Sequence, residues 1–199
     1  MDEVETVGRD AGREHILALD ALRHAKNAFF WLAVVAIALH LVLWVIVRWA
    51  ETPDAAARWQ DTLEWMLAVA GFVGRASAVV VAGISVLVLL IGLNARLSGT
   101  AALARACVWS LAALALVVPW VRITAEDMAG IPSAFFEAEE LARRVGGSMS
   151  RADAFFSFVR FVVCPILVGV SLGTAQYWFH AGYRRMTTLS TGRLPIREV

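Results

Sequence analysis

The sequence predicts an all-α fold: a polytopic membrane protein with a four-helix transmembrane bundle and amphipathic surface helices. Three observations carry that expectation. Residues 28–47 form a run of twenty with a single polar side chain, His40. At 1.5 Å of rise per residue this run is about 30 Å long, the thickness of a bilayer's hydrocarbon core. Three more apolar runs follow, at about 76–93, 104–121 and 161–183. The composition, 59% hydrophobic against 18% charged, belongs to the membrane class.

Taken in order, residues 1–27 read as an N-terminal tail on the cytoplasmic side that ends in an amphipathic helix. Residues 1–10 are acidic and lack apolar periodicity, so disorder is expected there. From Arg13 to Lys26 the apolar positions Ile16, Leu19, Leu22 and Ala25 recur at helical spacing, with Asp20, Arg23 and His24 opposite. No proline or glycine separates this helix from the first span. Glu51-Thr-Pro-Asp54 is a turn signal. Residues 55–74 contain Trp59, Trp65 and an apolar run, Met66 to Gly74, too short to span, which suggests an interfacial or re-entrant element.

The second span, opened by Arg75, ends at Asn94, and Leu97-Ser-Gly-Thr100 is a tight connection to the third. Pro119 is expected in the last turn of that third span. In the long connection 122–153, Ser133 to Val145 reads as a surface helix with Phe135, Ala138, Ala142 and Val145 along one side, stopped by Gly146-Gly147. The fourth span ends in Arg184-Arg185. The membrane domain is thus 28–183, and 184–199 is a polar C-terminal tail.

Spans one and three share a pattern of Trp31 with Trp44 and Trp109 with Trp120. Spans two and four share Arg75 before Val81-Ala-Gly-Ile-Ser85 and Arg160 before Leu167-Val-Gly-Val-Ser171. The halves are therefore candidates for two parallel, duplicated hairpins. Such a repeat sets Gly83 beside Gly169 and makes Gly83, Gly169 and Gly173 candidate helix-packing positions, the last two forming a Gly-x-x-x-Gly motif.

Few residues invite chemistry. His40 is intramembrane and polar, and ionisable groups at that depth are functional candidates by default. A neutral, hydrogen-bonded packing histidine is the competing reading. Arg75 and Arg160 are expected at the outer ends of spans two and four, either snorkelling or pairing with Glu51, Glu126 and Asp153 in an outer-interface charged cluster. His24 and His180 fall near one surface and are the only candidate haem ligands. The Walker, zincin, Cys-x-x-Cys and nucleophile-elbow motifs are all missing from the sequence. No catalytic residue, no metal ligand and no cofactor other than haem is expected.

The net charge of +1 speaks against nucleic acid as a partner. One lysine against seventeen arginines suggests a GC-rich bacterial genome. The first run is retained rather than cleaved, since a signal peptide's apolar core is shorter and starts sooner. The expectation is a non-catalytic integral membrane protein, an accessory, assembly or scaffold subunit of a larger membrane complex. Its partners would be the lipid bilayer and other subunits or itself, in the inner (cytoplasmic) membrane with both termini cytoplasmic. A small oligomeric transporter or channel is the first alternative, and a haem-binding redox subunit the second.

Overall fold

A computed structural model describes the backbone of residues 2–49, 53–95, 97–118, 133–136, 141 and 151–190. Side-chain surroundings are described for 18–47, 61–95, 97–118, 133–136, 141 and 151–187. Among the described residues every regular element is helical: α1 (Asp2–Trp49), α2 (Pro53–Asn94), α3 (Thr100–Val117) and α4 (Arg151–Phe158). A π-helical turn, Val159–Val163, then joins α4 to α5 (Cys164–Ser190). Four segments are long and apolar enough to cross a membrane: Ala18–Val47, Asp61–Asn94, Thr100–Val117 and Arg151–Thr187. This is the build of a multi-pass membrane protein.

The amphipathic helix and the first span are one rod, as the lack of a breaker between them implies. That rod begins at Asp2, so residues 2–10 are helical rather than disordered. The segment 55–74 is likewise not a separate interfacial element, because α2 runs unbroken from Pro53 to Asn94. Proline opens this helix, where its missing N–H costs nothing, and Gly71 and Gly74 inside it do not interrupt the ladder. Arg75, expected at the end of a span, is therefore in mid-helix.

The turn after α2 is closed by the Ala95 N–H on the Ile91 carbonyl and the Leu97 N–H on the Gly92 carbonyl, both at 2.9 Å. Gly99 then takes φ +90°, and the Gly182 carbonyl would lie 2.7 Å from any Cβ there. Only glycine satisfies both demands. Gly182 in turn admits Leu103, whose Cγ would lie 2.8 Å from an added Cβ. This is where α3 and α5 approach closely. At Gly83 and Gly173 an added Cβ would meet nothing within 4 Å, and at Gly169 it would meet only Ile37 Cδ1 at 4.0 Å. The three expected packing glycines thus stand on open faces, and the contact falls to Gly99 and Gly182 instead.

Around the bundle, α1 packs on α2 and α5, and α3 packs on α2 and α5. The near end is marked by exposed His24, Asn94 and Arg184, and the far end by exposed Glu64 and Asp153. Between α2 and α3 the hydroxyls of Ser85 and Ser110 meet at 3.1 Å, one donating to the other while the acceptor keeps its own proton for the carbonyl one turn back. Cys107 and Cys164 are both free thiols.

Helix α3 ends sooner than the apolar pattern suggests. Its last residue is Val117, and Val118 is extended at φ −63°, ψ 130°. Val118 precedes Pro119, and a residue before proline is driven out of the α region. Val117 packs in one cluster with Ala33, Ala36 and Ile37 of α1, Ala78 and Val81 of α2, and Val168 and Leu172 of α5. Those α2 residues lie midway between Glu64 and Asn94, and those α5 residues midway between Asp153 and Arg184. Helix α3 therefore ends inside the bundle, level with the middle of α2, although its length alone would let it cross.

Candidate functional site: a broken span ringed by basic residues

A helix that ends inside a bundle leaves carbonyls without intrahelical partners, and where water is excluded such groups must be satisfied by protein. Ser133–Phe136 supplies the partners. The Ala134 N–H donates to the Leu116 carbonyl at 2.9 Å, and Ser133 Oγ donates to the Val117 carbonyl at 2.9 Å. All four residues are buried and none is helical. The expected surface helix from Ser133 is therefore wrong over this stretch. Its apolar residues face the bundle because the end of α3 needs a partner there, and the rest of that expected helix, apart from buried Leu141, lies outside the described residues.

Phe135 sits in a notch made by Gly74, where any Cβ would overlap its ring. The rings of Phe135 and Phe136 each meet His40 edge-on, with centroids 4.9 Å apart, and Phe136 also meets Phe161 at 4.6 Å. His40 is fully buried. Its Nδ1–H donates to the Ala36 carbonyl at 3.0 Å, so Nε2 is the bare nitrogen of the neutral ring. Among the described residues Nε2 has no hydrogen-bond partner.

Two arginines close on the same segment. Arg160 donates from Nη1 to the Ser133 carbonyl, and Arg75 Nη2 lies 3.5 Å from the Phe135 carbonyl. Arg160 is only 8% exposed, so it does not snorkel to headgroups. It belongs to the π-helical turn, where the Cys164 N–H reaches back to the Val159 carbonyl. Pro165 explains the widened turn, since it has no N–H for the Phe161 carbonyl and its ring would crowd that carbonyl in a regular helix. The heads of Arg75 and His40 both approach Gly71, where an added Cβ would lie 3.8 Å from Arg75 Nη2 and 3.9 Å from His40 Nε2. Of the carboxylates expected beside these arginines, Glu51 and Glu126 lie outside the described residues, and Asp153 is exposed on α4.

A second polar layer lies toward the near end, and the sequence reading missed its centre. Lys26, the sole lysine, is fully buried between α1 and α5. Its Nζ donates to Gln176 Oε1 at 2.9 Å and lies 4.1 Å from the centroid of the Phe179 ring. Gln176 Nε2 donates to Asn27 Oδ1 and to His180 Nε2, both at 3.0 Å. One turn further out, Tyr183 Oη donates to Asp20, which also pairs with Arg23 at 3.0 Å. The signal in the sequence was a lysine on the otherwise apolar side of the amphipathic helix, with Gln176 the one amide within span four.

His24 and His180 are each engaged on their own helix. Each bonds a residue four positions back, His24 to Asp20 and His180 to Gln176. Among the described residues no three His, Cys, Asp or Glu side chains gather as a metal site would require. Compared with family models, with curated proteins and with solved structures, the chain matches none.

Proposed function

We propose that the chain is a small non-catalytic transporter or channel whose solute passes at the break in the third span. The observation that carries this reading is the end of α3 inside the bundle, capped by a buried non-helical segment that also touches His40, Arg75 and Arg160. An interrupted helix costs stability in a bilayer, and membrane proteins use such breaks where backbone carbonyls and charged groups must handle a solute or ion. We place the near end at the cytoplasmic face of a bacterial inner membrane, because Arg23, Arg105, Arg184 and Arg185 gather there. The test is reconstitution into liposomes, with swelling recorded in glycerol and in urea and conductance in potassium chloride. Flux that rises in Phe135→Ala supports the reading, and wild-type and variant vesicles as tight as empty ones would defeat it.

A second reading, an accessory or assembly subunit of a larger membrane complex, is favoured by a different observation. The interior contacts Arg160–Ser133, Ser85–Ser110 and Lys26–Gln176 all join one element of this chain to another. Groups used in that way hold a shape rather than handle a solute. Native mass in mild detergent separates the two readings: a stoichiometric foreign subunit with no flux selects the second.

A further inference from the structure

The exposed face of α3 is not uniformly apolar. From the near end inward its open positions run Ala101, Arg105, Val108 and Trp109, within about 12 Å of rise. A charge outermost, with an aliphatic and an indole group one turn further in, matches the passage from headgroups to acyl chains in one leaflet. The arginine is also held in place. Arg105 Cζ lies 4.7 Å from the centroid of the Trp178 ring on α5. Stacking occupies the face of a guanidinium and leaves its edge N–H groups to donate elsewhere.

We propose that Arg105 and Trp178 form a binding site for the phosphate of an anionic phospholipid in the near leaflet, with one acyl chain laid over Val108 and Trp109. The site stands whether the chain is a transporter or an assembly subunit, because it lies on the outside of the bundle. Charge complementarity selects the occupant. Among the described residues Arg105 pairs with no carboxylate. Asp20 of α1, a carboxylate at the same end, is already held by Arg23, His24 and Tyr183. A phosphodiester offers two oxygens to the fork of one guanidinium. In a membrane-spanning bundle the exposed Val108 and Trp109 take acyl chains as their solvent, so the lipid that covers them brings its phosphate to the level of Arg105. A headgroup that carries an ammonium gains less, since the guanidinium repels that cation.

Native mass spectrometry of the full chain, released from detergent micelles with added lipid, counts bound lipids directly. Dioleoylphosphatidylglycerol is compared with dioleoylphosphatidylcholine. Arg151→Gln, at an exposed position of the far end, is the control. Wild type should bind the glycerol lipid about fivefold tighter than the choline lipid, the share of one basic residue beside an anionic headgroup. Arg105→Gln should remove that preference, and Arg151→Gln should keep it. Arg105→Lys retains the charge without the planar fork and should fall between the two.

Should Arg105→Gln not fold, Arg105→Lys must lower the preference by itself. The site is overturned if wild type takes both lipids equally, or if folded Arg105 variants keep the full preference. It is overturned as well if Arg151→Gln abolishes the preference to the same degree. Sodium phosphate in large molar excess, against sodium chloride of matched ionic strength, separates a lipid from a soluble anion. Retention of the glycerol lipid in phosphate supports the assignment, and its displacement there but not in chloride would overturn it.

Discussion

At the near level α1 meets α5 through Lys26 and Gln176. At the far level Ser133–Phe136 sits among His40 of α1, Gly74 of α2 and Phe161 of the π-helical turn. The two layers treat polar atoms differently. Around Gln176 each amide group is used: Oε1 accepts from Lys26, and Nε2 donates to Asn27 and His180. Around His40 one ring nitrogen is used and the other is not. A fully matched buried network fixes a unique packing, whereas an incompletely matched one stores a cost. The near layer therefore reads as a clasp, and the far layer as the part of the bundle built to change.

The largest expected effect breaks the clasp. Gln176→Leu leaves the Lys26 ammonium buried without its acceptor and should lower stability in detergent by about 3 kcal/mol, measured by reversible denaturant unfolding. The double variant Lys26→Met/Gln176→Leu should recover most of that loss, since an apolar pair of similar volume replaces a buried polar one. Failure of the second change to rescue the first would mean that Lys26 is not held as the geometry describes.

Filling the notch in α2 comes next. Gly74→Ala places a methyl group into the Phe135 ring and should cost about 2 kcal/mol, with Phe135→Leu in the same chain relieving part of it. The same substitution at Gly173, where a Cβ meets nothing, should be within about 0.5 kcal/mol of neutral or slightly stabilising. Equal effects at the two glycines would refute the contrast between a filled notch and an open face.

Two smaller changes sharpen the comparison. Ser85→Ala removes an interhelical hydroxyl pair and should cost about 0.6 kcal/mol by the same unfolding measurement. His40→Leu is close to volume-conserving and frees the bundle of an unmatched nitrogen. Its loss of the Ala36 contact and its relief of Nε2 nearly cancel, leaving stability within about 1 kcal/mol of wild type. A large loss there would make His40 part of the frame rather than part of a site.

The sequence carried the elements better than it carried their register. Twenty apolar residues with no glycine or proline between Arg13 and Val47 dictate one rod, and Leu97-Ser-Gly-Thr100 is readable as a turn from its glycine alone. The depth at which α3 stops was not readable. Pro119 permits a kink in a last turn or an end two residues earlier, and only the packing of Val117 against three other helices decides between them. Arg75 was misplaced for a related reason: the run from Met66 to Gly74 is too short to cross by itself, and its continuity with the next eighteen residues is a property of the folded helix. Gly169-x-x-x-Gly173 carries the pattern of a packing motif, yet among the described residues an added Cβ would meet only Ile37 at Gly169 and nothing at Gly173. Gly74 and Gly182, with no motif around them, take the close contacts.

The unbroken winding of α1 has a mechanical consequence. A helix hydrogen-bonded from Asp2 to Trp49 is about 72 Å long, so the stretch ahead of Ala18 stands roughly 24 Å clear of the apolar part. With no proline or glycine kink between His40 and the start of the amphipathic stretch, twist is not absorbed along the way. A small turn of α1 about its axis would be delivered to the amphipathic stretch as an equal rotation. The N-terminal stretch would then act as a pointer that reports, outside the bilayer, how the interior is seated.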